Sequence, residues 1–417
     1  MSNIIVQKYG GSSVAEPKRI FQVAKRIVSY RRKGYDLVIV VSALGDTTDG
    51  LLKLAYKINR APSERETDML ISTGEQISVA LLAMAIHKLG YEAISFTGAQ
   101  AGIITDSAYT RARIIKINTA QIRRQLAQGR IVIVAGFQGV DLSREITTLG
   151  RGGSDLTAVA LAKALRAKSC EIYTDVEGIY TADPHIVHKA RKLEGLSYDE
   201  MLEMASLGTQ VLQTRCVELA KRFNIPIIVK SSFTPLGRKY PRGQVDKGGT
   251  MISPALKAME RVVVSAVTLN KNEAKITMRD VPDKPGIAAR IFKTIAAQGI
   301  GVDMIVQNIS RTGFTDLSFT VTKENVAKTL RVAKVASGQI GAGGIIADRD
   351  IARVSVVGVG MKSHSGIAAA MFEALAEKKI NIEMISTSEI SISCVIRKRF
   401  AQRAVRAVHK KFKLEKR

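Results

Sequence analysis

Short runs that are apolar on both faces recur along the first two thirds of the chain. They are Ile4 to Val6, Leu37 to Val41, Ala93 to Phe96, Ile131 to Ala135, Cys170 to Tyr173 and Ile227 to Val229. Between them lie longer stretches with apolar residues at helical spacing: Pro17 to Arg32, Thr67 to Leu89, Thr119 to Gln128, Asp155 to Leu165 and Tyr198 to Phe223. A strand that needs no polar face is buried on both sides, so this alternation predicts an α/β domain with a largely parallel sheet sandwiched by helices. The pattern stops at Pro235 to Pro254, where Pro235, Gly237, Pro241, Gly243, Gly248, Gly249 and Pro254 mark a linker.

Beyond the linker the chain repeats itself. Gly286 to Gln307 aligns without gaps to Gly366 to Thr387, with nine of 22 positions identical. Each copy reads as a loop, an amphipathic helix (Ile287 to Gln298; Ile367 to Lys378), a strand (Ile300 to Val306; Ile380 to Ile385) and a second strand (Thr315 to Val321; Ile390 to Ile396). Lys275 to Met278 and Val354 to Val357 supply a preceding strand. Two copies are too few for a solenoid and predict a pair of small βαββαβ, ferredoxin-like α+β domains. The expected organisation is 1–234, the α/β domain; 235–261, a linker; 262–345 and 346–417, the two repeats.

Composition narrows the function classes. At 417 residues and 46% hydrophobic the chain can build several cores. No uninterrupted apolar run approaches the ~18 residues of a membrane span and no apolar signal region opens the chain, so the expected address is the cytoplasm, with no membrane partner. Cys170, Cys216 and Cys394 lack paired spacing, which predicts neither disulfides nor a zinc site. The net charge of +26 raises nucleic-acid binding. However, residues 1–261 carry 37 basic and 24 acidic side chains and residues 262–417 carry 26 and 13, so the excess forms no single patch. The basic C-terminal stretch from Arg397 interleaves Ala401, Ala404, Val405 and Val408 at helical spacing, which predicts a surface helix with a solvated basic face. With no Trp and 5% aromatics there is no base-stacking platform, and nucleic acid is not expected as a partner.

Candidate chemistry gathers at the ends of the apolar runs, where open parallel sheets bind ligands. The first strand runs into Lys8-Tyr9-Gly10-Gly11-Ser12-Ser13, a glycine pair before a helix that exposes backbone N–H groups and one lysine to an anion. Its spacing is not that of a Walker A loop. The second strand leads to Ser42 to Asp49, which includes Thr48. Leu149-Gly150-Arg151-Gly152-Gly153-Ser154-Asp155 is a glycine-rich turn whose arginine suits a carboxylate. Tyr173 to Pro184 carries Thr174, Asp175 and Asp183, residues equally at home in Asx turns.

These segments, with Phe96 to Gly102 and Gly136-Phe137-Gln138-Gly139, resemble the signature stretches of the aspartate kinases in family order over nearly the whole chain. The repeats resemble ACT domains, with Asp283-Lys284-Pro285-Gly286 as an ACT turn. The resemblance implies the amino-acid-kinase fold followed by two ACT domains, and transfer of the ATP γ-phosphoryl group to the side-chain carboxylate of L-aspartate. It implies that Lys8 stabilises the transition state, that Asp155 holds Lys8, and that Thr174 belongs with them among the catalytic groups. The nucleotide would be lined by Lys8, Tyr9, Gly10, Gly11, Ser12, Thr174, Asp175, Tyr180, Thr181, Ala182, Asp183, Pro184, His185 and Gln210, with Mg²⁺ arriving as MgATP.

Aspartate would be bound by Thr48, Glu75, Arg151 and Ser154. His185 and Gln210 stand where the family commonly has arginine and lysine. Effectors, lysine and/or threonine, would bind at Asp283, Gln307 and Asn308 in the first repeat and at Met361, Ser363, His364, Asn381, Ile382 and Glu389 in the second. Paired ACT domains further imply a homodimer or larger assembly, and Met251 and Met259 leave open a separately translated regulatory subunit. Other amino-acid kinases of the same fold, or an inactive sensor, are the alternatives. The intact set Lys8, Glu75, Arg151 and Asp155 argues against the sensor.

Overall fold

The computed structural model describes residues 3–209, 211–235, 248–254, 264–308, 313–361 and 364–416. Gln210, Met259, Ser363 and most of the expected linker therefore lie outside the described residues. The chain forms two compact units. One comprises Met1–Ile179, Lys192–Ala205 and Gln210–Met259, the other Tyr180–Arg191, Ser206–Thr209 and Glu260–Arg417.

The first unit is built on an eight-stranded sheet in the order Gly195–Ser197, Thr250–Ser253, Ile227–Ser231, Ser169–Thr174, Ile4–Tyr9, Asp36–Val41, Ile131–Ala135, Ala93–Phe96. All neighbours pair in parallel except Ile227–Ser231 with Thr250–Ser253. Each of the six apolar runs is thus a strand of this sheet, and Val6, Leu37, Val38, Ile39, Val40 and Ile131 to Ala135 are fully buried. The helices Pro17–Arg32 and Thr73–Lys88 supply Ile20, Val23, Ala24, Ile27, Val79, Leu82 and Ile86 to the core on one face. Glu64–Lys88 reaches a mean hydropathy of 1.6 over 18 residues, as a membrane span would. More than half of it is buried in the protein, and it carries the buried Glu75.

The expected single helix from Thr67 is two, Glu64–Ile71 and Thr73–Lys88, broken at Ser72. Tyr198 to Phe223 likewise divides into Tyr198–Ser206 and Thr214–Phe223. A second, four-stranded sheet had no signal in the sequence pattern: Ile114–Ile117, Ile103–Thr105, Gln138–Val140, Ile146–Thr148.

Behind the central strands a polar network sets their register. Gln7 Nε2 donates to Glu171 Oε2 at 2.9 Å, Lys230 Nζ pairs with Glu171 Oε1 at 2.6 Å, and the Tyr9 and Tyr173 rings stack with centroids 4.6 Å apart. Alternation along a strand then turns Lys8 to the opposite face.

The second unit holds two further four-stranded sheets. One runs Ile305–Gln307, Phe314–Thr322, Glu273–Pro282, Gly344–Asp348; the other Ala266–Asn270, Ile351–Val357, Ser391–Arg397, Met384–Thr387. Each carries helices against one face, with Ile291, Ile295, Val326 and Ile340 in one core and Met371, Leu375, Ala404, Val405 and Val408 in the other. The basic helix is present as Ala401–Lys411, with those alanines and valines inward. The expected 345/346 boundary cuts Gly344–Asp348, which pairs with Glu273–Pro282 of the first repeat, and the expected start at 262 takes in a strand of the second. Ala266–Asn270 precedes the first repeat but pairs antiparallel with Ile351–Val357 of the second, so the first repeat is inserted into the second. Charged pairs join the two sheets: Lys275 to Glu383 at 2.6 Å, Arg397 to Asp348 at 2.5 Å, and the buried Arg353 to Glu273 at 2.6 Å.

The segment Tyr180–Arg191, expected within 1–234, also belongs to this unit. Ala182, Ile186 and Val187 complete the second repeat's core, and Val267 N–H donates to Thr181 O at 2.8 Å. Thr181 Oγ1 lies 2.9 Å from His409 Nε2, and Arg406 Nε donates to Ile186 O at 2.9 Å.

Candidate functional site

The first unit gathers polar groups at the carboxyl ends of its central strands. Lys8 is the fifth residue of Ile4–Tyr9, and its Nζ lies 2.7 Å from Asp155 Oδ1, both side chains about nine-tenths buried. Asp155 sits in the first turn of Gly153–Leu165, where the helix dipole favours a carboxylate. Gly10 and Gly11 follow. A Cβ on Gly11 would lie 2.9 Å from the carbonyl oxygens of both Ala43 and Gly45, so only glycine lets these two loops touch, and Gly45 N–H donates to Gly11 O at 3.1 Å. A Cβ on Gly10 would stand 3.5 Å from Lys8 Nζ, so the missing side chain leaves the ammonium approachable. The short turn Gly11–Ser13 then presents backbone toward an anion, with Ser12 exposed and Ser13 Oγ 2.9 Å from Ser232 Oγ.

Glu75 enters from the first turn of Thr73–Lys88. Its Oε1 accepts the Ala43 N–H at 3.1 Å, while Oε2, also buried, has no hydrogen-bond partner among the described residues. Burial raises its pKa to about 7, opposed by the Ala43 hydrogen bond. A buried carboxylate oxygen with unused acceptor lone pairs suits an ammonium group. Gly74 permits the approach, since a Cβ there would meet Ala43 Cβ at 2.8 Å. Thr48, half-buried, is the second residue of the helix Thr47–Ile58 that follows the same loop. Ser154 packs against Gly136, whose Cβ would strike Ser154 Oγ at 2.7 Å. These contacts bring Lys8, Gly10, Gly11, Glu75, Ser154 and Asp155 together around the Ser42 to Gly45 loop. Arg151 lies beside Ser154 and Asp155 on an exposed turn between Gly150 and Gly152, both at positive φ. Thr174 ends the neighbouring strand, its Oγ1 donating to Asp175 Oδ1 at 3.0 Å.

Some expected contacts change. Tyr9 is fully buried behind the sheet, where burial pushes its phenol well up, so it offers a ligand backbone only. Thr181 and Ala182 are buried in the second unit's core, and of that segment Asp183 and His185 are exposed, with Tyr180 and Pro184 half-buried. Met361 is likewise a core residue of the second repeat, which removes its side chain from an effector surface, and Ile382 packs partly against the same core. Asp283, Gln307, Asn308, His364, Asn381 and Glu389 are exposed on their loops and edge strands. Among the described residues no group of three or more His, Cys, Asp or Glu is placed to hold a metal ion.

Three residues went unnoticed in the sequence: Ser232, which meets Ser13 of the first glycine turn, the buried Asp68, and Arg215. Of these only Asp68 left a trace, as an acid beside Met69, Leu70 and Ile71 in an apolar stretch.

Residues 3–231 match the amino acid kinase family, and residues 276–336 and 354–412 each match the ACT domain. The chain is 49% identical over 414 residues to an aspartokinase of Pseudomonas aeruginosa, covering 99% of this chain and 98% of that one. It is 49% identical over 416 residues to an aspartokinase of Mycolicibacterium smegmatis, covering 99% and 96%. Among solved structures it resembles Escherichia coli aspartokinase III in complex with aspartate and ADP. There the TM-score is 0.81 at 25% identity, covering 98% of this chain and 99% of that one. The same E. coli enzyme in complex with lysine and aspartate gives 0.75 at 25% identity, covering 99% and 100%. With the parallel sheet, the lysine and glycine pair at the carboxyl end of a central strand and the tandem ACT domains all in this order, the chain belongs to the aspartate kinases and is an enzyme of that family.

Proposed function

We propose that this site transfers the γ-phosphoryl group of MgATP to the side-chain carboxylate of L-aspartate, giving 4-phospho-L-aspartate and ADP. A carboxylate oxygen forms the new P–O bond while the bond between the γ-phosphorus and the β–γ bridging oxygen breaks. The nucleophile is already ionised, so no general base is needed; the difficulty is bringing two anions together in line. The Lys8 ammonium, held 2.7 Å from Asp155, neutralises charge on the transferring group. Gly11 and Ser12 supply backbone donors to the phosphates, beside Gly10, whose own N–H is held by Tyr173 O at 3.3 Å, and with Thr174 and Asp175 on the neighbouring strand end. Glu75 Oε2 takes the α-ammonium of aspartate and Arg151 its α-carboxylate, assisted by Thr48 and Ser154. The observation that carries this reading is the pairing of a held lysine beside an open glycine turn with a buried, half-satisfied glutamate across the same loop.

The E. coli enzyme's complexes with aspartate and ADP, and with lysine and aspartate, support both the substrates and an amino-acid effector. Lysine and/or threonine are accordingly proposed to inhibit through the ACT pair, at Asp283, Gln307 and Asn308 and at His364, Asn381 and Glu389, in a homodimer or larger assembly. The enzyme would act in the cytoplasm at the entry to lysine, threonine and methionine synthesis. The test is ADP release with aspartate, glutamate and N-acetylglutamate in parallel. Turnover is expected with aspartate alone, and equal turnover with another acceptor would overturn the substrate assignment.

A further inference from the structure

Arg151 stands on a turn that its own sequence leaves loose. Gly150 and Gly152 flank it with φ of 77° and 71°, and glycine backbones resist ordering more than any other residue's. One hydrogen bond of its own closes the turn, Gly153 N–H to Gly150 O at 2.9 Å, and the remaining anchors hold the residues that lead into it. Asp68, on Glu64–Ile71, is fully buried, and its carboxylate accepts three hydrogen bonds. Oδ2 takes the N–H groups of Thr148 at 2.8 Å and Thr110 at 2.9 Å, and Oδ1 takes the Thr148 hydroxyl at 2.6 Å.

Thr148 opens the segment leading to Arg151. Thr110 forms the opposite wall, since a Cβ on Gly150 would lie 3.0 Å from Thr110 O. Thr110 is itself at φ 64°, a left-handed conformation uncommon for a residue other than glycine. From the other side Arg215 donates to Leu149 O at 2.7 Å and to Ala112 O at 3.1 Å. Burial raises the Asp68 carboxyl above its ordinary value, and the Thr148 and Thr110 hydrogen bonds oppose that rise.

We infer that Asp68 is a positioning residue for aspartate binding: by gripping Thr148 and Thr110 at once it sets the turn that aims Arg151. This rests on the reading of Arg151 as the carboxylate-binding group. Asp68 touches no substrate and acts only through that turn. Asp68→Ala leaves two buried backbone N–H groups without acceptors, which frees the turn. Asp68→Asn keeps a carbonyl oxygen for those N–H groups, and its amide can donate to the Thr148 hydroxyl, so it restores the grip.

The test is steady-state kinetics of the full-length enzyme, with Asp68→Ala made alone and in an Arg151→Ala background. Alone it is expected to raise KM for aspartate ~10-fold, equivalent to ~1.4 kcal/mol, with KM for ATP and kcat within ~2-fold. In the Arg151→Ala background the same change is expected to add less than ~2-fold, because the group it positions is gone. Asp68→Asn should return KM for aspartate to within ~2-fold of wild type. Equal factors in both backgrounds, or parallel losses for ATP and aspartate, would show that Asp68 does not act through Arg151. A neutral Arg151→Ala would instead remove the carboxylate-binding reading itself. Should Asp68→Ala fail to fold, Thr148→Val, which deletes one of the three bonds, is expected to raise KM for aspartate ~3-fold and Thr148→Ser to reverse it. No change with Thr148→Val would overturn the inference.

Discussion

Replacing Glu75 with glutamine should strengthen the fold and weaken the enzyme. The carboxyl is 3% exposed and one of its oxygens has no partner, so burial holds its pKa at about 7 against an ordinary 4.5. A carboxyl with a raised folded-state pKa binds its proton more tightly folded than unfolded. Its contribution to stability is therefore full below pH ~4.5 and is lost as pH rises through ~7. The gap between the two values corresponds to ~3 kcal/mol of destabilisation at pH 8. Glutamine escapes that cost but leaves an amide without a partner, which returns ~1 kcal/mol or more. The expected net gain in the free enzyme is ~1–2 kcal/mol at pH 8 and none at pH 4.5. Denaturant unfolding of the unliganded variant and wild type at the two pH values, followed by a probe in the first unit, reads the difference. The same substitution deletes the anion that meets the substrate's ammonium, so KM for aspartate should rise at least ~10-fold while KM for ATP holds. Equal stability of the two proteins at pH 8 would refute the buried-charge argument. An unchanged KM for aspartate would remove Glu75 from substrate binding.

Other outcomes follow from the same geometry. In the wild-type enzyme KM for aspartate should rise as pH falls below ~7, since protonation of Glu75 removes the anion; a flat profile from pH 8 to 6 would contradict this. Lys8→Ala should lower kcat at least ~10²-fold with a smaller effect on aspartate binding, and activity within a few-fold of wild type would exclude a catalytic role. Arg151→Lys should chiefly raise KM for aspartate, because a point charge cannot replace a bidentate contact, and an effect confined to ATP would reassign the residue. Asp283→Ala or Gln307→Ala should relieve inhibition by lysine or threonine. Deleting residues 262–417 is a poorer test, because it strips Ala182, Ile186 and Val187 of the core they complete.

Six of the large sheet's eight strands were legible as apolar runs, whereas Gly195–Ser197 and Thr250–Ser253, the latter inside the expected linker, are short and only partly buried; the glycine turns were legible because backbone had to approach backbone. The small sheet was hidden: its strands are three or four residues long and none is a continuous buried run. Ala266–Asn270 looks like the start of the first repeat, and only pairing with residues more than 80 positions away places it in the second. Tyr9 was misread for a local reason. It follows Lys8, and neighbouring strand residues face opposite sides, so both cannot reach one ligand. Thr181, Ala182 and Met361 are small or apolar groups whose burial depends on partners far along the chain. Asp68 reads as one more acid in a helix until the backbone of Thr110 and Thr148 closes around it.

The central claim is transfer to the side-chain carboxylate of aspartate. It is tested most directly by reducing the enzymatic acyl phosphate with borohydride and identifying the amino alcohol formed. Phosphorylation of the side chain predicts homoserine, formed only when MgATP, aspartate and Lys8 are all present; 3-amino-4-hydroxybutyrate, the product expected from the α-carboxylate, would contradict the account.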